Sequence, residues 1–194
     1  MQKKLLHEIL NIYKTLLLNA NQLDANDINR LYIEYLKLSI RFGTNNPTYE
    51  KDLYAYNRTN CYCYALGLKF PWIFYKLYLQ RANEDFAHNI GFISYKNYSE
   101  DKKSILENLY SDLDVLKIQT YDADIESHPS HGGYKIAVYV AEDYDFHILR
   151  QNKDGIWSHK LGYTDYILKL PQPEPLNPEY ELVKTLEIVK PTFK

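Results

Sequence analysis

The sequence predicts an α+β protein in which an antiparallel sheet carries a packed short helix and a helical hairpin precedes both. Three observations predict it. Apolar residues recur at helical spacing through residues 4–42, strand-like alternation is concentrated in the second half, and Asn152-Lys153-Asp154-Gly155 joins two strand-like runs as a tight turn.

At 194 residues and 45% hydrophobic, the chain can bury one substantial core. This predicts one main domain, residues 44–194 with a Pro-rich C-terminal segment, and a helical N-terminal extension, residues 1–43. A formal net charge of -2, with Lys and Arg scattered among Asp and Glu, offers no basic stripe for phosphate, so nucleic acid is not an expected partner. An anionic membrane is no better supported. The 20 tyrosines run through every segment, as AT-rich base composition would produce and a carbohydrate-stacking face would not.

The apolar start at Leu5-Leu6 is interrupted by His7, Glu8, Asn11 and Lys14, unlike a secretory leader. No run approaches the ~18 apolar residues that span a bilayer. Cys61 and Cys63 are too close for an unstrained disulfide. Reduced thiols and a cytoplasmic protein are expected.

In residues 4–18, Leu5, Leu6, Ile9, Leu10, Tyr13, Leu16 and Leu17 form one face of an amphipathic helix. A second helix spans residues 26–42, with Asp24 or Asn26 as cap, Ile28, Leu31, Tyr35 and Leu38 as its stripe, and Gly43 past its end. Residues 44–60 are polar, contain Pro47 and read as a loop. A short helix follows over residues 61–68, stopped before Pro71. Residues 90–95 read as a strand. Ser99, Glu100 and Asp101 open a helix through 113 with Ile105, Leu106, Leu109 and Leu113 inward. Residues 115–120 resume as a strand, and 134–141, 145–151 and 156–160 form an antiparallel meander. Pro171, Pro173, Pro175 and Pro178 make an extended segment, after which residues 180–189 fit either a closing strand or a short helix.

The chemistry concentrates in Asn60-Cys61. Asn60 is a good helix N-cap, so Cys61 falls in a first helical turn, where unpaired N–H groups and the dipole favour thiolate and can stabilise an oxyanion. Cys63 points elsewhere and reads as a packed thiol. His147 lies mid-strand. The turn at 152–155 suits a three-residue loop with Gly155 left-handed, which pairs Asn152 with Ile156 and Leu149 with His159. His147, Leu149 and His159 then share a face, with the two histidines diagonal neighbours. His147 is thus the expected base for Cys61, and His159 the group that fixes its ring. Asp145, on the same face, is the rival for that role, and Asp143 is expected to cap the preceding turn. His128 and His131 read as part of a solvated turn, and His7 and His88 carry no partner signature.

The residues Asn60-Cys61-Tyr62-x-Tyr64-Ala65, Asp145-Phe146-His147-x-x-Arg150 and Gly155-x-Trp157-Ser158-His159-Lys160-x-Gly162 together resemble papain-like cysteine hydrolases of the NlpC type, and within them a group occurring in bacterial and shell-matrix proteins. The resemblance covers residues 57–162. It implies a papain-like antiparallel sheet with a packed catalytic helix, Cys61 as nucleophile, His147 as base and His159 as orienting residue. Asn60, Tyr62 and Trp157, inside the same motifs, are the expected substrate contacts. The Asp-Cys-Ser-Gly start of cell-wall hydrolases is absent, since Asn60 precedes Cys61 and Tyr62 follows it.

The expected activity is hydrolysis or acyl transfer at an amide or thioester bond through an acyl-enzyme, with no cofactor. A peptide, a peptidoglycan stem or an acylated protein would be the substrate. Two other readings stand beside it: a noncatalytic binding or structural module on the same scaffold, and a zinc site built from Cys61, Cys63 and loop histidines.

Overall fold

Local signals in the chain account for most of the elements in the computed structural model, which describes residues 1–49, 56, 59–80, 89–162, 164, 166–174 and 177–192. Helix α1, Gln2–Leu18, buries Leu5, Ile12 and Leu16. Helix α2, Ala25–Ser39, starts at Asp24, whose carboxylate accepts the Asp27 N–H at 2.8 Å while the Asp27 side chain accepts that of Asp24, a reciprocal cap. Its buried stripe is Ile28, Tyr32, Ile33 and Leu36, so the expected Leu31, Tyr35 and Leu38 form a partly buried flank instead. A 3-10 turn, Ile40–Phe42, completes it before Gly43.

Helix α3, Cys61–Leu66, is capped by Asn60, whose side chain accepts the Cys63 N–H at 3.2 Å. It stops two residues sooner than expected because Gly67 turns left-handed, its N–H bonding Tyr64 O and the Leu68 N–H bonding Cys63 O. Helix α4, Trp72–Leu79, follows Pro71 and was not expected from the pattern. Helix α5, Lys102–Val115, is capped by Asp101, which accepts the Ser104 N–H at 2.9 Å.

Two expected strands fail here. Residues 90–95 are consecutive turns rather than a strand, closed by Phe92 N–H to Asn89 O and Lys96 N–H to Gly91 O. The cause is Asp112 on α5, whose buried carboxylate accepts Gly91 N–H, Ser94 N–H, the Ser94 hydroxyl and the Tyr62 hydroxyl, all at 2.6–2.8 Å. Four charge-assisted bonds outweigh a short stretch of strand propensity. The strand expected at 115–120 starts later, as β1, Gln119–Asp122, because Val115 is still helical and Lys117 adopts φ +58 in the turn that follows.

The sheet has six strands in the order β1-β6-β2-β3-β4-β5, every pairing antiparallel. β2, Tyr134–Ala141, and β3, Asp145–Gln151, have the expected bounds, and β4 is Trp157–Lys160. Asp143 sits in the β2–β3 turn at φ +58. The β3–β4 turn is the expected one: Gly155 N–H bonds Asn152 O, Asn152 N–H bonds Ile156 O, and Gly155 takes φ +81. β5, Ile167–Leu170, is an unforeseen edge strand, and residues 180–189 resolve as strand β6, Glu181–Val189, between β1 and β2.

One face of the sheet, with Ile136, Val138, Val140, Phe146, Ile148, Leu186 and Ile188, packs on the helices in a core that also contains Leu16, Ile28, Tyr32 and Leu36 of the hairpin. The other face carries Ala137, Tyr139, Leu149, Trp157 and Leu170, with Ile125 and Tyr180 laid against them. Tyr139 donates its hydroxyl to Pro173 O, tying the Pro-containing stretch to this second face. Among the described residues no helix is long and apolar enough to cross a membrane.

Candidate active site

The β3–β4 register places His147 and His159 together on the second face. Their rings are 4.8 Å apart and perpendicular, and His147 Nε2 lies 2.6 Å from His159 Nδ1. Asp145, the rival partner, is engaged otherwise: its carboxylate accepts Phe146 N–H at 2.8 Å and the Tyr180 hydroxyl at 2.7 Å.

Cys61 comes from α3 on the first-core side of the sheet, and among the described residues no hydrogen bond or electrostatic interaction joins it to His147. Pairing of β3 with β4 runs only through Arg150–Ser158 and Gln151–Trp157, after which His159 and Lys160 pair with β5 alone. Alternation directs the Ile148 N–H toward β4, and the Cys61 sulfur, not the ladder, receives it. The Tyr62 N–H is the sulfur's second main-chain donor. The sulfur thus enters where β4 has peeled from β3, beside the residue that follows His147. It is also close enough to Tyr180 and Asp145 to act on the ionisation of the former and feel the charge of the latter.

Burial dominates the electrostatics. Desolvation pushes the Cys61 thiol up to about 12, against the lowering influence of the Ile148 and Tyr62 N–H groups and of Lys160. Burial, reinforced by the neighbouring His159, lowers His147 to about 3, and burial alone lowers His159 to about 4. All three groups are therefore neutral near pH 7. The thiolate expected from the helix start is not the resting state, because a six-residue helix offers little dipole against complete desolvation of sulfur.

Neutrality constrains the tautomers. If His147 donates its Nε2–H to His159 Nδ1, its own Nδ1, which makes no hydrogen bond among the described residues, keeps a lone pair for the thiol proton. His159 then carries its proton on Nε2, a buried atom with no partner among the described residues.

The remaining expected residues have other placements. Asn60 acts through the cap. Tyr62 is fully buried, with its hydroxyl spent on Asp112, and Trp157 is packed on the second face beneath the Lys135 ammonium, 5.5 Å from its ring centre. Neither ring is presented to a substrate. Cys63 is buried in the first core, which also contains Tyr32. His131 stacks on Tyr121 at 3.6 Å and its Nδ1 is 3.1 Å from Glu187, while Ser130, His131 and Gly133 N–H groups all bond that carboxylate. His131 thus belongs to a buttress, and among the described residues no three His, Cys, Asp or Glu side chains converge as a metal site. His88 lies outside the described residues.

Tyr180 is the site residue that sequence reasoning missed. Its ring centre is 6.0 Å from that of His147 and its hydroxyl holds Asp145. As one tyrosine of 20, in a Pro-rich stretch, it carried no distinguishing signal.

Comparison of the chain with protein-family models, with curated proteins and with solved structures finds no match.

Proposed function

We propose that this protein is a papain-like thiol hydrolase or acyltransferase of the NlpC type, acting on an amide or thioester bond through Cys61, His147 and His159. The observation that carries the reading is the imidazole pair, His147 Nε2 lying 2.6 Å from His159 Nδ1 with the other His147 nitrogen uncommitted, on a strand whose next residue, Ile148, gives its N–H to the Cys61 sulfur. In the reaction, Cys61 gives its proton to His147 Nδ1 as sulfur adds to the carbonyl carbon. His147 returns that proton to the departing amine or thiol as the tetrahedral intermediate collapses to a Cys61 thioester. Water or an amine, deprotonated by His147, then releases the acyl group. A peptide, a peptidoglycan stem or an acylated protein side chain meets these requirements.

The depth of the site favours a second reading. Cys61 is 3% exposed and His147 8%, as in a scaffold that has kept its packing as a binding module. Acylation by p-nitrophenyl acetate separates the two. A catalytic site gives an acetyl adduct mapped to Cys61, absent in Cys61→Ala and formed about a hundredfold more slowly in His147→Ala. Acetylation spread over Cys63 and surface lysines, and indifferent to His147→Ala, would leave only the binding module.

A further inference from the structure

The connection from β5 to β6 must cross one face of the sheet. β5 lies at the edge beside β4 and β6 lies beyond β2, so the chain between Leu170 and Glu181 passes over β4, β3 and β2. Two hydrogen bonds show which face it takes. Tyr139 on β2 donates its hydroxyl to Pro173 O, and Tyr180 donates its own to the Asp145 carboxylate on β3 at 2.7 Å. Tyr139 is the cross-strand partner of His147, and Asp145 precedes His147 by two residues on the same face. The crossing is thus fastened to two neighbours of His147, with the Tyr180 ring centre 6.0 Å from that of the imidazole.

Little else holds it. Its described residues, 171–174 and 177–180, pair with no strand, and Pro171, Gln172, Glu174, Pro178 and Glu179 are exposed. Pro171, Pro173 and Pro178 have no N–H to offer a ladder. Tyr180 alone among these residues packs on the apolar cluster of the second face.

The crossing is also longer than its span requires. Four strand spacings of about 4.8 Å carry it about 19 Å sideways. Trp157 pairs with both Leu170 and Gln151, and Val140 with both Glu181 and Phe146, so it also shifts about five residues, or about 17 Å, along β3. The diagonal is about 25 Å, against about 36 Å for the eleven Cα steps from Leu170 to Glu181. That slack lets the segment lift off the face while β5 and β6 stay paired.

We propose that the β5–β6 crossing is an autoinhibitory lid, shut over the imidazole pair in this structure and released when the Tyr139 and Tyr180 hydroxyls let go. The proposal rests on the thiol-enzyme reading and supplies its regulation. Substrate meets His147 in the open form, and the 8% exposure of His147 belongs to the closed one.

Diethyl pyrocarbonate, which acylates neutral imidazole nitrogens, reads the lid independently of catalysis. His147 Nδ1 makes no hydrogen bond among the described residues, so access limits its reaction, and the exposed His7 and His128 of the same full chain serve as references. Peptide mapping resolves each histidine. In the parent, His147 should react at least about tenfold more slowly than His7. Tyr139→Phe or Tyr180→Phe alone should speed His147 about threefold, and the two together about tenfold, with His7 carbethoxylation and iodoacetamide labelling of Cys63 unchanged. Acetylation of Cys61 by p-nitrophenyl acetate should rise by the same factor. A His147 rate equal to that of His7 in the parent, or one that both substitutions leave unchanged, would overturn the lid whether or not Cys61 acetylates. A rise shared by Cys63, which is buried in the first core, would report loosening of the whole domain and overturn it as well. Should the double variant not fold, the single variants carry the same comparison. His147 unmasked while Cys61 stays inert would leave the lid standing and remove the thiol-enzyme reading.

Discussion

Acid should destabilise this fold through its imidazole pair, by an amount that the structure allows to be worked out. His147 and His159 are held at about 3 and about 4 against an ordinary 6.5. Both folded values lie below the unfolded one, so between them and pH 6.5 the unfolded chain binds more protons. The stability they contribute is complete above 6.5 and is lost as pH falls toward the folded values. At about pH 5 each ring forfeits about 2 kcal/mol, hence about 4 kcal/mol for the two, and about 2–4 after allowance for relaxation around a protonated pair. Against a total of ~5–15 kcal/mol for an ordinary domain this is a large share. Urea unfolding at about pH 7.5 and about pH 5 measures it, and the same pair of curves for the His147→Gln, His159→Gln double variant subtracts every other titrating group. The parent should lose about 2–4 kcal/mol more than the double variant does between the two pH values. An equal loss in both proteins would mean that the two rings are not buried, neutral and adjacent, and the site as described would be wrong.

Two further outcomes follow from the same structure. Asp112→Ala should cost about 3–5 kcal/mol in chemical denaturation, because it strands the Tyr62 hydroxyl and three donors of the 91–94 turn; a loss below about 1 kcal/mol would show that those donors find other acceptors. With its thiol raised to about 12, Cys61 should alkylate with iodoacetamide at a rate that climbs steadily past pH 9, and a plateau near neutrality would reveal a thiolate–imidazolium pair instead.

The strands that could be read from the sequence are those whose information is local. β2 and β3 alternate between turn residues, and Asn152-Lys153-Asp154-Gly155 determines its own geometry, so strand bounds and register follow without reference to the rest of the chain. The failures share a cause of the opposite kind. Ile90-Gly91-Phe92-Ile93 has strand composition, but its main chain is claimed by Asp112, a residue on a helix that begins a dozen positions later. Helix α4 is built from Trp72, Phe74, Tyr75 and Tyr78, aromatic residues of weak helical preference, and it forms because Phe74, Tyr75 and Leu77 bury against the core. β5 is four residues long, too short for a period to announce itself.

The site divides along the same line. That His147 and His159 meet follows from alternation and one turn, and that Cys61 begins a helix follows from Asn60. Their protonation does not follow, because helix-start reasoning weighs nearby N–H groups and leaves out the desolvation supplied by distant parts of the chain. The same holds for Asp145. In the sequence it is one of two candidates to orient the imidazole; in the fold His159 takes that place and Asp145 is left bonded to Tyr180 from a segment 35 residues away. The position of Tyr180, not the local sequence, thus decides which of the two candidates stays free to meet the imidazole.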